Sequence, residues 1–124
     1  MTEEEKNMSI DGIWTNEIYG PYGWENSGVY TLENGRIIGG SSRHYSAGQF
    51  RFSDGKYEAD VEVHYYGPPR TVFGRKREAF EISLRGNMTE NVIEGKIENT
   101  GNNSTVLFRM TKRMDIPKLK GTSH

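Results

Sequence analysis

The chain has 124 residues, of which 33% are hydrophobic and 11% aromatic, with a mean hydropathy of -0.80. Sixteen Lys and Arg stand against 17 Asp and Glu, for a net charge of -1. This length sets one domain. Seven Tyr, five Phe and two Trp at near-zero net charge argue against a disordered chain, which lacks aromatics and repels itself. The charge balance provides no basic excess for nucleic-acid binding. With no cysteine there is no disulfide, thiol nucleophile or thiolate metal site. Apolar runs reach four residues at most, too short for a membrane-spanning helix.

Residues 1–9 open with Met1-Thr2-Glu3-Glu4-Glu5-Lys6, acidic and without the apolar centre of a signal peptide. They are expected to be a flexible segment ahead of a domain spanning 10–115, and the protein is expected to be cytoplasmic. The first strand falls near 12–19, with Trp14 and Ile18 on the inner face and Ile13 and Tyr19 on the outer. Residues 20–26 read as a longer, glycine-containing connection. Runs at 28–33 and 36–41 flank Asn34-Gly35, and Asn-Gly between alternating runs is the signature of a hairpin with positive φ at both turn positions. Gly39-Gly40 reads as a bulge.

The clearest strand is 56–66. Tyr57, Ala59, Val61, Val63 and Tyr65 alternate with Glu58, Asp60, Glu62, His64 and Tyr66, a period of two that a helix would scramble around its circumference. The run Gln49-Phe50-Arg51-Phe52 repeats the alternation ahead of it, and Asp54-Gly55 joins the two as a second hairpin. Residues 67–77, with Pro68-Pro69 and the basic cluster Arg75-Lys76-Arg77, form a longer connection. Phe80, Ile82 and Leu84, then Ile93, Gly95 and Ile97, then Val106, Phe108 and Met110 mark three more strands by the same rule. Residues 116–124 read as a flexible tail.

About eight sequential strands joined by short turns predict an all-β, antiparallel up-and-down barrel, because closure removes exposed edges; the alternative is an open two-layer sandwich. Trp14, Phe50, Phe52, Tyr57, Val61, Val63, Phe80, Ile82 and Phe108 are the expected lining of its core, or of a cavity holding a small apolar ligand. His44, His64 and His124 show no metal-ligand spacing and read as solvated surface residues. Glu58, Asp60 and Glu62 share one strand face, the candidate partner-binding patch together with Asp54. Trp24 with Tyr19, Tyr22 and Tyr30 form an aromatic group expected at a barrel end. No catalytic, cofactor or metal site is predicted, and the chain is expected not to be an enzyme. An enzyme would have to draw on His44, His64 and the three acids.

Several short motifs, in order and spacing, resemble the GrlR-like family over residues 11–114. They are Asp11-Gly12-Ile13-Trp14, Gly28-Val29-Tyr30, and Glu33-Asn34-Gly35-Arg36-Ile37-Ile38-Gly39-Gly40. After them come Tyr45 with Gly48, Val63-His64-Tyr65-Tyr66, Val72-Phe73-Gly74 and Leu84-Arg85-Gly86. The resemblance implies a dimeric lipocalin-like barrel in the bacterial cytoplasm. It also implies negative regulation of type III secretion through capture of a transcriptional activator by protein contact, without DNA or membrane binding. The family's named member makes that contact with a run of four alternating acidic residues. The corresponding stretch here, Ser53-Asp54-Gly55-Lys56, is a hairpin turn with one acid and one base.

Overall fold

The computed structural model describes residues 10–67, 79–98 and 105–119. Eight strands follow one another: β1 (Gly12–Gly20), β2 (Gly23–Glu33), β3 (Arg36–Gly40), β4 (His44–Ser53), β5 (Lys56–Tyr65), β6 (Ala79–Thr89), β7 (Val92–Glu98) and β8 (Val106–Met114). Each pairs antiparallel with its chain neighbours, and β1 pairs with β8 to close the barrel. The expected up-and-down barrel of the lipocalin type is therefore the observed architecture, and no described strand is left with an open edge.

Alternation produces this result directly. In β5 the inner positions Tyr57, Ala59, Val61 and Val63 are buried, while Glu58, Asp60, Glu62 and His64 face outward. The turns Asn34-Gly35 and Asp54-Gly55 carry positive φ at both positions, at 52° and 80°, then 52° and 77°. That geometry matches the twist of the strands they join. The turn between β6 and β7 instead places Glu90 at φ 57°, a conformation in which a side chain crowds its own backbone.

Three sequence expectations change. The connection at 20–26 is a tight turn at Pro21-Tyr22, since β1 runs to Gly20 and β2 begins at Gly23. Gly39 and Gly40 are not bulged; they pair in continuous register with Tyr30 and Val29. The bulge lies in β2, where Thr15 pairs with Val29 but Glu17 pairs with Asn26, so β2 carries one extra residue. Gly28 meets that demand with φ 110°, and a Cβ there would strike the Gly40 carbonyl. The bulge makes Ser27 and Gly28 consecutively buried and turns the Ser27 side into the barrel.

The interior divides into two halves. Toward the end holding the three tight turns after β2, β4 and β6, large side chains fill the space: Trp14, Leu32, Phe50, Tyr57, Ile93 and Phe108 are all buried. Every core residue expected from the sequence faces inward, with Phe52 only partly buried against the cluster. Gly86 and Gly95 pair with each other on the inner face, opposite Tyr57 and Phe108 respectively. Their missing side chains leave room for the Tyr57 ring to lie 5.9 Å from Phe50 and 6.4 Å from Phe108. Ile10, ahead of β1, is 1% exposed, and its carbonyl accepts a hydrogen bond from Trp14 Nε1 at 2.9 Å. Toward the other end the inner positions are smaller and more polar: Asn16, Ser27, Tyr30, His44 and Ser46.

Candidate functional site

The polar half of the interior encloses a chamber of about 30 Å³, enough for about two water molecules. Its walls combine Ile18, Ile37, Val61, Val63, Ile82, Leu84, Ile97 and Met110 with Asn16, Ser27, Tyr30, His44 and Ser46. Three of the residues expected to line the core, Val61, Val63 and Ile82, thus border it. Trp14, Phe50, Tyr57 and Phe108 pack the opposite half, while Phe80 lies at the chamber's end, paired with Val63 and 5.9 Å from the Tyr65 ring.

His44 was expected on the surface and is instead 5% exposed. It lies in phase with Ser46 and Phe50 on the inner side of β4, so the strand itself carries it inward. Tyr30 holds it there: the phenol oxygen sits 2.7 Å from His44 Nε2 and donates to the Ser27 carbonyl at 3.2 Å. Ser41 Oγ lies 2.9 Å from Nδ1. The imidazole is thus held at both ring nitrogens, by Tyr30 and by Ser41. The bulge at Gly28 is what brings the Ser27 carbonyl within reach of Tyr30.

Two chamber atoms are left over. The Asn16 side-chain oxygen and Ser46 Oγ are buried and find no hydrogen-bond partner among the described residues. A third orphan, the Tyr57 hydroxyl, lies in the packed half. Burial, with a smaller contribution from Tyr30, holds the Tyr57 phenol well above the usual tyrosine range.

The outer surface carries a different chemistry. Of the four predicted partner-binding acids, two are matched by the barrel's own cations. Arg51 lies 3.7 Å from Glu58 and 3.5 Å from Asp60, and Arg85 lies 3.7 Å from Glu58 and 3.3 Å from Glu98. Ser83 also donates to Asp60 at 2.9 Å. Asp54 sits apart, at the β4–β5 turn, where its positive φ serves the hairpin.

Glu62 stands elsewhere in this pattern. It pairs directly across β5 and β6 with Glu81, a like-charge juxtaposition that costs stability on a sheet surface. Its carboxylate contacts His64 Nε2 at 2.6 Å. His64 stacks flat on Tyr45 at 5.0 Å, and Tyr45 stacks on Tyr66 at 6.2 Å. Tyr45 and Tyr66 are exposed, as are Ile38 and Val29. Register places Ile38 opposite Ala47 and Ala47 opposite Glu62, while Gly40 bridges Val29 to Tyr45. The outer face of β2 to β6 thus presents an aromatic and aliphatic surface bordered by two carboxylates.

The aromatic group expected at a barrel end separates in the structure. Tyr19 and Trp24 meet edge to face at 5.4 Å on the outer wall, where Arg109 lies 4.2 Å over the Trp24 ring and 3.0 Å from Glu17. Tyr22 projects from its turn, 96% exposed, and Tyr30 points inside. The barrel wall also separates His44 from His64, Glu58, Asp60 and Glu62, so these groups do not share one site. Among the described residues no three His, Asp or Glu side chains lie together as metal ligands would. The basic cluster Arg75-Lys76-Arg77, the Val72-Phe73-Gly74 motif and His124 lie outside the described residues.

No protein-family model matches the chain, and no curated protein matches its sequence.

Proposed function

We propose that this barrel is a non-enzymatic regulatory or adaptor module acting by protein–protein contact, in the manner of the GrlR-like negative regulators its motifs resemble. The observation that carries the proposal is the outer face of β3 to β6. Exposed aromatics stacked in a row, beside Glu62 and Glu81 at directly paired strand positions, suit a partner that offers apolar side chains and a cation. Tyrosine is enriched at such contacts because it presents a large rigid surface with a polar tip. A basic group seated between Glu62 and Glu81 relieves their repulsion on binding. The resemblance supplies the partner class, a transcriptional activator, and a homodimer as the assembly.

This assignment moves the expected acidic patch. Glu58 and Asp60 are paired with Arg51 and Arg85, while Glu62 remains at the edge of the aromatic surface. Affinity capture from the native host tests the proposal, with Tyr45→Ala and the double variant Glu62→Lys, Glu81→Lys as probes. Recovery of one defined partner should fall at least tenfold in both and stay unchanged in Tyr22→Ala. Equal recovery in all of them would remove the surface from consideration.

A second function, carriage of a small ligand inside the barrel, is favoured by one observation only, the chamber beside Asn16 and Ser46.

A further inference from the structure

The chamber goes beyond the surface contact, and its chemistry differs from the apolar cavity expected of the sequence. Three features define it. Its walls carry no Asp, Glu, Lys or Arg. Two of its polar atoms, Asn16 Oδ1 and Ser46 Oγ, are buried and unpartnered, on residues 6% and 3% exposed. The remaining polar groups, Tyr30, His44 and Ser27, are engaged with one another.

Buried acceptors without donors are costly and uncommon in folded proteins. Here they come from different strands, β1 and β4, and border one space. The Gly28 bulge adds Ser27 to the same lining. An apolar ligand would leave both atoms unmatched. A charged ligand would have to shed its hydration with no counter-ion to receive it. We infer that the chamber is a binding site for a small neutral molecule that donates hydrogen bonds, such as a primary amide or an alcohol. Its N–H or O–H donates to Asn16 Oδ1, the Ser46 hydroxyl donates to it or accepts from it, and its carbon atoms rest on Ile18, Val63 and Met110. The free volume of about 30 Å³ holds about two non-hydrogen atoms, so the rest of a larger ligand enters only as the wall yields. Met110, the most adaptable side chain of the wall, makes further room by changing rotamer.

Propionamide is a suitable probe, with 2-butanone as the isostere lacking N–H donors and propionate as the charged counterpart. Titration of the full chain, followed by methyl NMR of Ile18, Val63 and Met110, should give saturable propionamide shifts at about millimolar concentration, as its few atoms allow. 2-Butanone should bind about tenfold more weakly and propionate should produce no interior shifts. Ser46→Ala, which leaves the fold intact, should weaken propionamide about tenfold, and Asn16→Leu should act in the same direction. Absence of saturable propionamide shifts would overturn the inference. So would binding of 2-butanone as tight as that of the amide, or propionamide shifts that persist at full affinity in Ser46→Ala.

Discussion

Replacing Tyr57 by Phe removes one oxygen from the most tightly packed part of the barrel. Tyr57 is 0% exposed, its hydroxyl has no partner among the described residues, and its ring lies between Phe50 and Phe108. Phenylalanine keeps both ring contacts and discards an unmade hydrogen bond. A buried, unsatisfied hydroxyl costs about 1–3 kcal/mol, and the variant should gain stability of that order. In a domain this size each kcal/mol moves Tm by roughly 4 °C, so the rise is roughly 4–12 °C.

The same group gives the effect a pH signature. Burial raises the phenol's folded-state pKa above its usual value of 10. Tyr57 therefore contributes its full stability below that value. As pH climbs past it, the unfolded chain releases a proton that the folded chain retains, and stability falls by about 1.4 kcal/mol per pH unit. Tyr57→Phe removes this loss. Its advantage should be constant below pH 9 and larger by about 1.4 kcal/mol at pH 11. Urea unfolding at pH 7 and pH 11 measures both values. A variant less stable than the parent at pH 7, or an advantage that does not grow with pH, would refute the claim that the hydroxyl is buried without a partner.

Three further outcomes follow from the packing and the turns. Trp14→Ala deletes the largest fully buried side chain and its bond to the Ile10 carbonyl, and should cost about 3–5 kcal/mol by denaturant unfolding. Gly28→Ala strains the β2 bulge and pushes against Gly40. It should cost about 2 kcal/mol and, in an NMR spectrum, disturb Tyr30 and His44 more than Trp14. Glu90→Asn places a residue tolerant of positive φ at the β6–β7 turn and should raise stability by about 0.5–1 kcal/mol in thermal unfolding.

The fold was readable because hydrophobic phase and turn chemistry agree along most of the chain. β5 alternates without a break, and Asn34-Gly35 and Asp54-Gly55 mark two turns outright. Legibility fails where a glycine interrupts the phase. The apolar alternation of β6 is visible only as far as Leu84, yet the strand continues through Gly86 and Asn87 to Thr89 because Gly86 faces inward against Tyr57. The glycine-rich stretch before Tyr30 resembles a loop, whereas it is a hairpin strand whose extra residue shifts the alternation by one.

The chamber was partly legible. Asn16 falls in phase between Trp14 and Ile18, and His44 and Ser46 fall in phase with Phe50, so the period of two already carried these polar side chains inward. Only His44 among them reads as a surface residue, on residue type alone. What the sequence does not display is the long-range complement, Tyr30 meeting His44 and Ser27 turning inward. The surface site was harder still. Glu58, Asp60 and Glu62 look alike along the strand, and only the neighbours on β4 and β6, Arg51, Arg85 and Glu81, distinguish them.

The central claim, that the outer face of β3 to β6 is where a partner protein docks, is tested most directly by site-specific photo-crosslinking in the native host. A benzophenone side chain at position 45 should yield a crosslink to one defined protein, lost when Glu62 and Glu81 are both changed to Lys, with none from position 22. Crosslinks of equal yield at 45 and 22, or a position-45 crosslink indifferent to the two lysines, would contradict it.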